Sequence, residues 1–129
     1  MPTITCTDKQ LDLIETCVEA MFRLTMGQAK DVIEAYEAIA KRIVSPDDRE
    51  DIEKLIRQRI FPELVSKSVG GFAAYSFNSP EIGGGRILGE MVKVMQNYRA
   101  KRDNHPSLLV THDKPMKVSN EPLITVGEK

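Results

Sequence analysis

Over roughly the first hundred residues, apolar positions recur with the period of helices, and polar punctuation separates the runs. Leu11, Ile14, Val18, Met21 and Phe22 fall at helical intervals and predict a first helix with one apolar face. Thr7 stands where an N-cap is needed, and Asp8 complements the positive end of the helix dipole. The pattern predicts an end near Leu24, followed by a short joint, Thr25-Met26-Gly27-Gln28. A second run, from Ala29 through Val32, Ile33, Tyr36 and Ile39 to Ile43, stops at Val44.

Ser45-Pro46 is the clearest start signal in the chain. Serine caps, and proline fits the first helical position because the N–H it lacks would have no partner there. Asp47, Asp48, Glu50 and Asp51 then crowd the start of a third helix, whose buried face is expected to hold Ile52, Leu55, Ile56 and Ile60. Pro62 kinks or ends it. Residues 66–85 break the rhythm with Gly70-Gly71, with Phe72, Tyr75 and Phe77, and with Gly83-Gly84-Gly85, so a glycine- and aromatic-rich loop is predicted. Ser79-Pro80-Glu81 repeats the cap-then-proline signature. From Arg86, the positions Leu88, Met91, Val92, Met95 and Tyr98 predict a fourth helix that ends in the basic turn Arg99, Lys101, Arg102. Beyond it the helical period is lost. Leu108–Thr111 and Leu123–Val126 have the composition of strands, and Pro115 and Pro122 limit them to edge or irregular pairing.

The expected fold is therefore α+β but mostly α: a bundle of about four helices with a short C-terminal β ribbon. A chain of 129 residues suits a single domain, 1–129, with a helical body over 7–102 and an extended tail over 103–129. Composition changes this picture little. Hydrophobic residues make up 41% and charged residues 29%, as in ordinary globular proteins. The net charge of -1 argues against a broad phosphate-tracking face, so nucleic acid is not an expected partner. Two cysteines, Cys6 and Cys17, read as free thiols rather than a disulfide framework. No apolar stretch is long enough to span a bilayer, and the start MPTITCTDKQ has no signal-peptide pattern, so a cytoplasmic address without membrane is expected.

The order of landmarks carries a family likeness. A Thr-Ile-Thr segment precedes the first helix, Met26-Gly27-Gln28 follows it, and Ser79-Pro80-Glu81-Ile82 comes before Arg86-Ile87. Then come Asn104-His105-Pro106, Val110 to Pro115, and Ser119-Asn120-Glu121-Pro122-Leu123. The chain resembles a group of small, largely uncharacterised phage and prophage proteins with Met-Gly-Gln after helix one, a Pro-Glu…Ala-Arg-Ile helix start and an Asp-x-Pro…Ser-x-Glu-Pro-Leu tail. It departs from them at Ala29, where an aromatic is frequent, and at Gly84-Gly85, where Glu-Ala is usual. The resemblance implies a phage origin, hence the cytoplasm of a bacterial host cell, and a role against host defence. It supplies no catalytic residue.

The residues themselves favour binding over catalysis. In Asn78-Ser79-Pro80-Glu81-Ile82-Gly83-Gly84-Gly85-Arg86, glycines at a helix start let peptide N–H groups approach an anion. Arg86 adds a fork for phosphate, and Tyr75 or Phe77 offers a face for a base. The segment is neither a P-loop nor a dinucleotide fingerprint, and Glu81 opposes an anion. Arg99, with Lys93, Lys101 and Arg102, is a second candidate for phosphate.

A Mg²⁺-dependent nucleotide pyrophosphohydrolase is the enzymatic alternative, since Glu34-x-x-Glu37 and Glu50-x-x-Glu53 resemble the paired carboxylates of MazG-like enzymes. Helical phase turns Glu34 and Glu50 away from the apolar stripes and favours solvated faces instead. His105 and His112 have no partner at zinc spacing, and no catalytic residue, metal or cofactor is assigned. The leading expectation is an oligomeric, non-catalytic sponge for a small nucleotide-like ligand. The other alternative is a protein-interaction module that blocks a host complex or aids phage assembly.

Overall fold

The computed structural model describes residues 1–67, 74–103, 117 and 119–127. Among them are five α-helices: α1 (Asp8–Thr25), α2 (Lys30–Ala40), α3 (Pro46–Ile60), α4 (Pro62–Lys67) and α5 (Gly85–Arg102), with a 3-10 turn at Pro80–Ile82 before α5. Two starts follow directly from the sequence. Thr7 closes a capping box with Gln10: the Gln10 amide donates to Thr7 Oγ1 at 3.1 Å and the Thr7 amide to Gln10 Oε1 at 2.8 Å. Ser45 Oγ accepts from the Asp48 amide at 3.2 Å, with Pro46 in the first turn.

Met26-Gly27-Gln28 turns out to be the stop of α1. The Gln28 amide donates to Arg23 O and the Gly27 amide to Leu24 O, both at 2.9 Å, which is the Schellman pattern. Gly27 has φ +91°, a conformation open to glycine, and Leu64 and Phe61 pack where a Cβ would stand. The joint thus seats α4 against the turn between α1 and α2.

Helices α1 and α5 run antiparallel. Gly85 and Gly89, early in α5, lie against Thr25 and Phe22 late in α1, while Arg99 and Arg102 reach back to Glu15, Asp12 and Asp8. Phe22, Met26 and Ile82 form a buried cluster that Tyr75, Phe77 and Leu88 complete. Helix α3 folds back antiparallel along α2. Glu37 fastens the turn by accepting from the Val44 amide at 2.9 Å and pairing with Arg49, and Phe61 at the far end returns toward Gly27.

Two expectations need correction. The C-terminal β ribbon is not seen: no strand occurs among the described residues, and Leu123–Val126 runs as irregular chain. Strand-like composition reports fit to a half-buried surface rather than a backbone preference, and Leu123, Ile124 and Val126 are half-buried without a ladder. The tail is instead anchored by a side chain: Glu90, 2% exposed, accepts from the Ser119 amide at 3.1 Å and from the Ser119 hydroxyl. Leu108–Thr111 lies outside the described residues, as do His105, His112 and Phe72. The architecture is accordingly helical rather than α+β.

As the sequence indicates, the third helix ends ahead of Pro62, at Ile60. Proline opens the short α4, and buried Phe61 and Leu64 hold it in place. Second, α3 buries none of its residues: Ile52, Leu55 and Ile60 are 41%, 55% and 57% exposed. No described helix is long and apolar enough to cross a membrane.

Candidate functional site

The glycine-rich corner ahead of α5 is built on the Phe22–Met26–Ile82 cluster. Its approach is fixed first. The Tyr75 amide donates to Met26 O at 2.9 Å, pinning the segment to the end of α1. Phe77 then sets its ring edge-on to Phe22, with centroids 5.3 Å apart and planes at 88°. Ser79 to Ile82 turns on itself, and Gly83 leaves the turn at φ +53°, ψ -125°, a region reserved for glycine.

Arg86 laces this corner together. Its Nη2 donates to Asn78 O at 3.0 Å and its Nε to Ser79 O at 3.3 Å. Ser79 Oγ donates to the Glu81 carboxylate, and Ser76 Oγ donates to Asn78 Oδ1 at 3.0 Å. The amides of Gly83, Arg86, Ile87 and Leu88 donate to carbonyls within the turn, at 3.1 to 3.3 Å. Those of Gly84 and Gly85 take no part in these bonds. Gly84 is exposed and Gly85 is buried against Thr25. Helix α5 has neither a side-chain cap nor an acidic residue in its first turn, and nothing lies within 4 Å of where a Cβ would stand on Gly83 or Gly84.

The structure therefore gathers Asn78, Ser79, Gly83, Gly84, Gly85 and Arg86 into one corner. Phe77 is committed to the core beneath it. Tyr75 donates its hydroxyl to Glu63 at 2.7 Å, and that acceptor pushes the phenol up to about 12. Both rings are partly buried against the Phe22–Met26–Ile82 cluster.

Arg99 is not brought to the corner. Thirteen residues further along α5, it lies about 20 Å away. There its Nε meets Asp12 Oδ1 at 3.1 Å and its Nη1 pairs with Glu15. Arg102 joins the same knot through Asp8, Asp12 and Asp103, and its bonds to Asp103 and Asp12 hold its guanidinium above its usual range. The basic end of α5 is thus largely neutralised by α1.

Glu15 gave no sign in the sequence pattern. It is 3% exposed and sits one turn after buried Leu11 on the seam facing α5. Burial raises its carboxyl above the usual range, and Arg99 opposes that shift. Carboxylates on the apolar seam, Glu15 and Glu90 alike, look from sequence like ordinary solvated acids.

Of the paired acids on α2 and α3, Glu37 uses its carboxylate to hold the turn to Val44 and Arg49, and Glu34 pairs with Lys30 at 3.5 Å. Among the described residues, no group of three or more His, Cys, Asp or Glu side chains is arranged to hold a metal ion. Comparison with protein-family models, curated proteins and solved structures gave no match to the chain.

Proposed function

We propose that this protein is a non-catalytic binding protein that takes a small anionic, nucleotide-like ligand at the corner between the Pro80–Ile82 turn and the start of α5. The observation that carries this reading is the open start of α5, an 18-residue helix whose first turn has no side-chain cap and no acid. Its dipole favours negative charge there, and glycines let an anion come close to the backbone. The amide of exposed Gly84 supplies a donor. Arg86 holds the corner's shape through Asn78 and Ser79 and adds positive charge beside it. Phe77 supports the floor and does not contact the ligand. In the bacterial cytoplasm to which the phage resemblance points, such a protein would sequester a nucleotide signal of host defence.

Titration calorimetry against cyclic oligonucleotides and ADP-ribose derivatives tests this reading. The wild type is expected to bind at least one of these classes. Gly84→Asp, which puts a carboxylate at the helix start where space is open, is expected to weaken binding by about tenfold or more while leaving the fold intact. No heat with any ligand, or equal affinity in the variant, contradicts the proposal.

A further inference from the structure

Helix α3 carries an apolar stripe that the other described residues leave uncovered. Ile52, Leu55, Ile56 and Ile60 follow one another at helical spacing, and Ile52, Leu55 and Ile60 are each more than two-fifths exposed. Surface helices ordinarily derive their stability from burying such a stripe. Scattered apolar side chains on a surface need no explanation, but a continuous stripe along one helix does.

The charges on α3 indicate what covers it. Its first half holds Asp47, Asp48, Glu50, Asp51 and Glu53, and its one base there, Arg49, is paired with Glu37. Its second half holds Lys54, Arg57 and Arg59 and no acid. Asp47 and Asp48 serve the helix's own dipole, whereas Asp51 and Glu53 lie beyond the first turn. An identical helix laid parallel would set acid against acid and base against base. Laid antiparallel, the same helix sets acid against base at both ends, which is the self-complementarity a twofold interface requires.

We propose that α3 pairs with α3 of a second copy of this chain, antiparallel and about a twofold axis near Ile56. Ile56 then meets its own counterpart, Ile52 lies opposite Ile60 of the other copy, and Glu53 lies opposite Arg59. A helix of 15 residues is about 22 Å long, so one such seam covers roughly 400 Å² per copy. The two copies together then bury about 800 Å², below the range of stable interfaces and within that of transient ones. The pairing is therefore concentration-dependent, with a dissociation constant on the order of micromolar. It does not depend on the ligand reading above, because α3 contributes nothing to the corner at α5.

Sedimentation velocity over a range from about 1 to 200 μM tests it. The wild type should move from one to two chain masses. Leu55→Glu, on the exposed face, should stay at one mass with an unchanged helical circular-dichroism spectrum. Orientation is tested by charge exchange. Glu53→Lys alone and Arg59→Glu alone should each weaken pairing about fivefold or more. The double variant should regain it, since the two exchanged charges would again face each other, with opposite sign, across the twofold axis. A wild type that remains a monomer throughout overturns the proposal, including the case in which α3 captures some other protein instead. So does a double variant that pairs no better than the single ones.

Discussion

At the scale of single residues, a few side chains have surroundings that leave them little freedom. Gly89 is the tightest position. A methyl there would run into the Phe22 and Phe77 rings, both held by the core. Alanine ordinarily favours a helix over glycine by about 1 kcal/mol, but overpacking a core costs roughly 1–3 kcal/mol. Gly89→Ala is thus expected to lower stability by up to about 2 kcal/mol net in denaturant unfolding, against the direction of helix propensity. An unchanged or raised midpoint would show that the rings yield.

Glu15 gives a pH signature. Its carboxyl is raised by burial above the ordinary 4.5, so the folded state holds that proton more tightly than the unfolded one. Its contribution to stability is complete below the unfolded value and is lost as pH rises through the raised folded value. Relative to Glu15→Gln, whose side chain does not titrate, the wild type should therefore gain stability as pH falls from about 7 toward 4.5. A difference that moves the other way would mean that Arg99 outweighs the loss of water around this group.

At the scale of elements, the starts of helices were easier to read than their stops and faces. Thr7 and Ser45 act through local hydrogen bonds, which need only a few consecutive residues, so both caps stand in the sequence as they do in the fold. Met26-Gly27-Gln28 was visible as a joint, but its function as a left-handed stop depends on Leu64 arriving from another helix. Gly27→Ala should destabilise by about 1–2 kcal/mol in thermal or denaturant unfolding, through positive φ and the Leu64 contact together. The tail shows the opposite limit. Its composition points to strands, yet what fixes it is Ser119 on the carboxylate of Glu90, a contact between residues 29 positions apart. Hydrogen bonds to charged groups contribute about 1.5–3 kcal/mol. Ser119→Ala should accordingly lower stability by about 1–2 kcal/mol and speed proteolysis of the tail. Resistance equal to the wild type would show that Leu123 and Ile124 hold the tail without it.

At the scale of the whole molecule, α1 and α5 form the one well-covered pair among the described helices, and α2 and α3 extend from it as a hairpin with apolar side chains left in solvent. Periodicity located every long helix but placed the stripe of α3 inside the chain. The reason is physical: a hydrophobic period shows that a face is to be covered, and not whether the cover comes from the same chain. The same limit applies to the corner at α5. Its glycines and Arg86 were legible as a group because they are neighbours in sequence. The roles of Phe77 and Arg99 were not, since one is set by Phe22 and the other by Asp12 and Glu15 on a different helix.

Ligand binding at the start of α5 is tested most directly on the backbone amides themselves. In a nitrogen–proton correlation spectrum titrated with ADP-ribose or a cyclic dinucleotide, saturable shifts are expected at Gly84, Gly85 and Arg86, with Arg99 and Arg102 unmoved. Shifts confined to the Arg99–Arg102 end, or none anywhere on α5, would contradict binding at this corner.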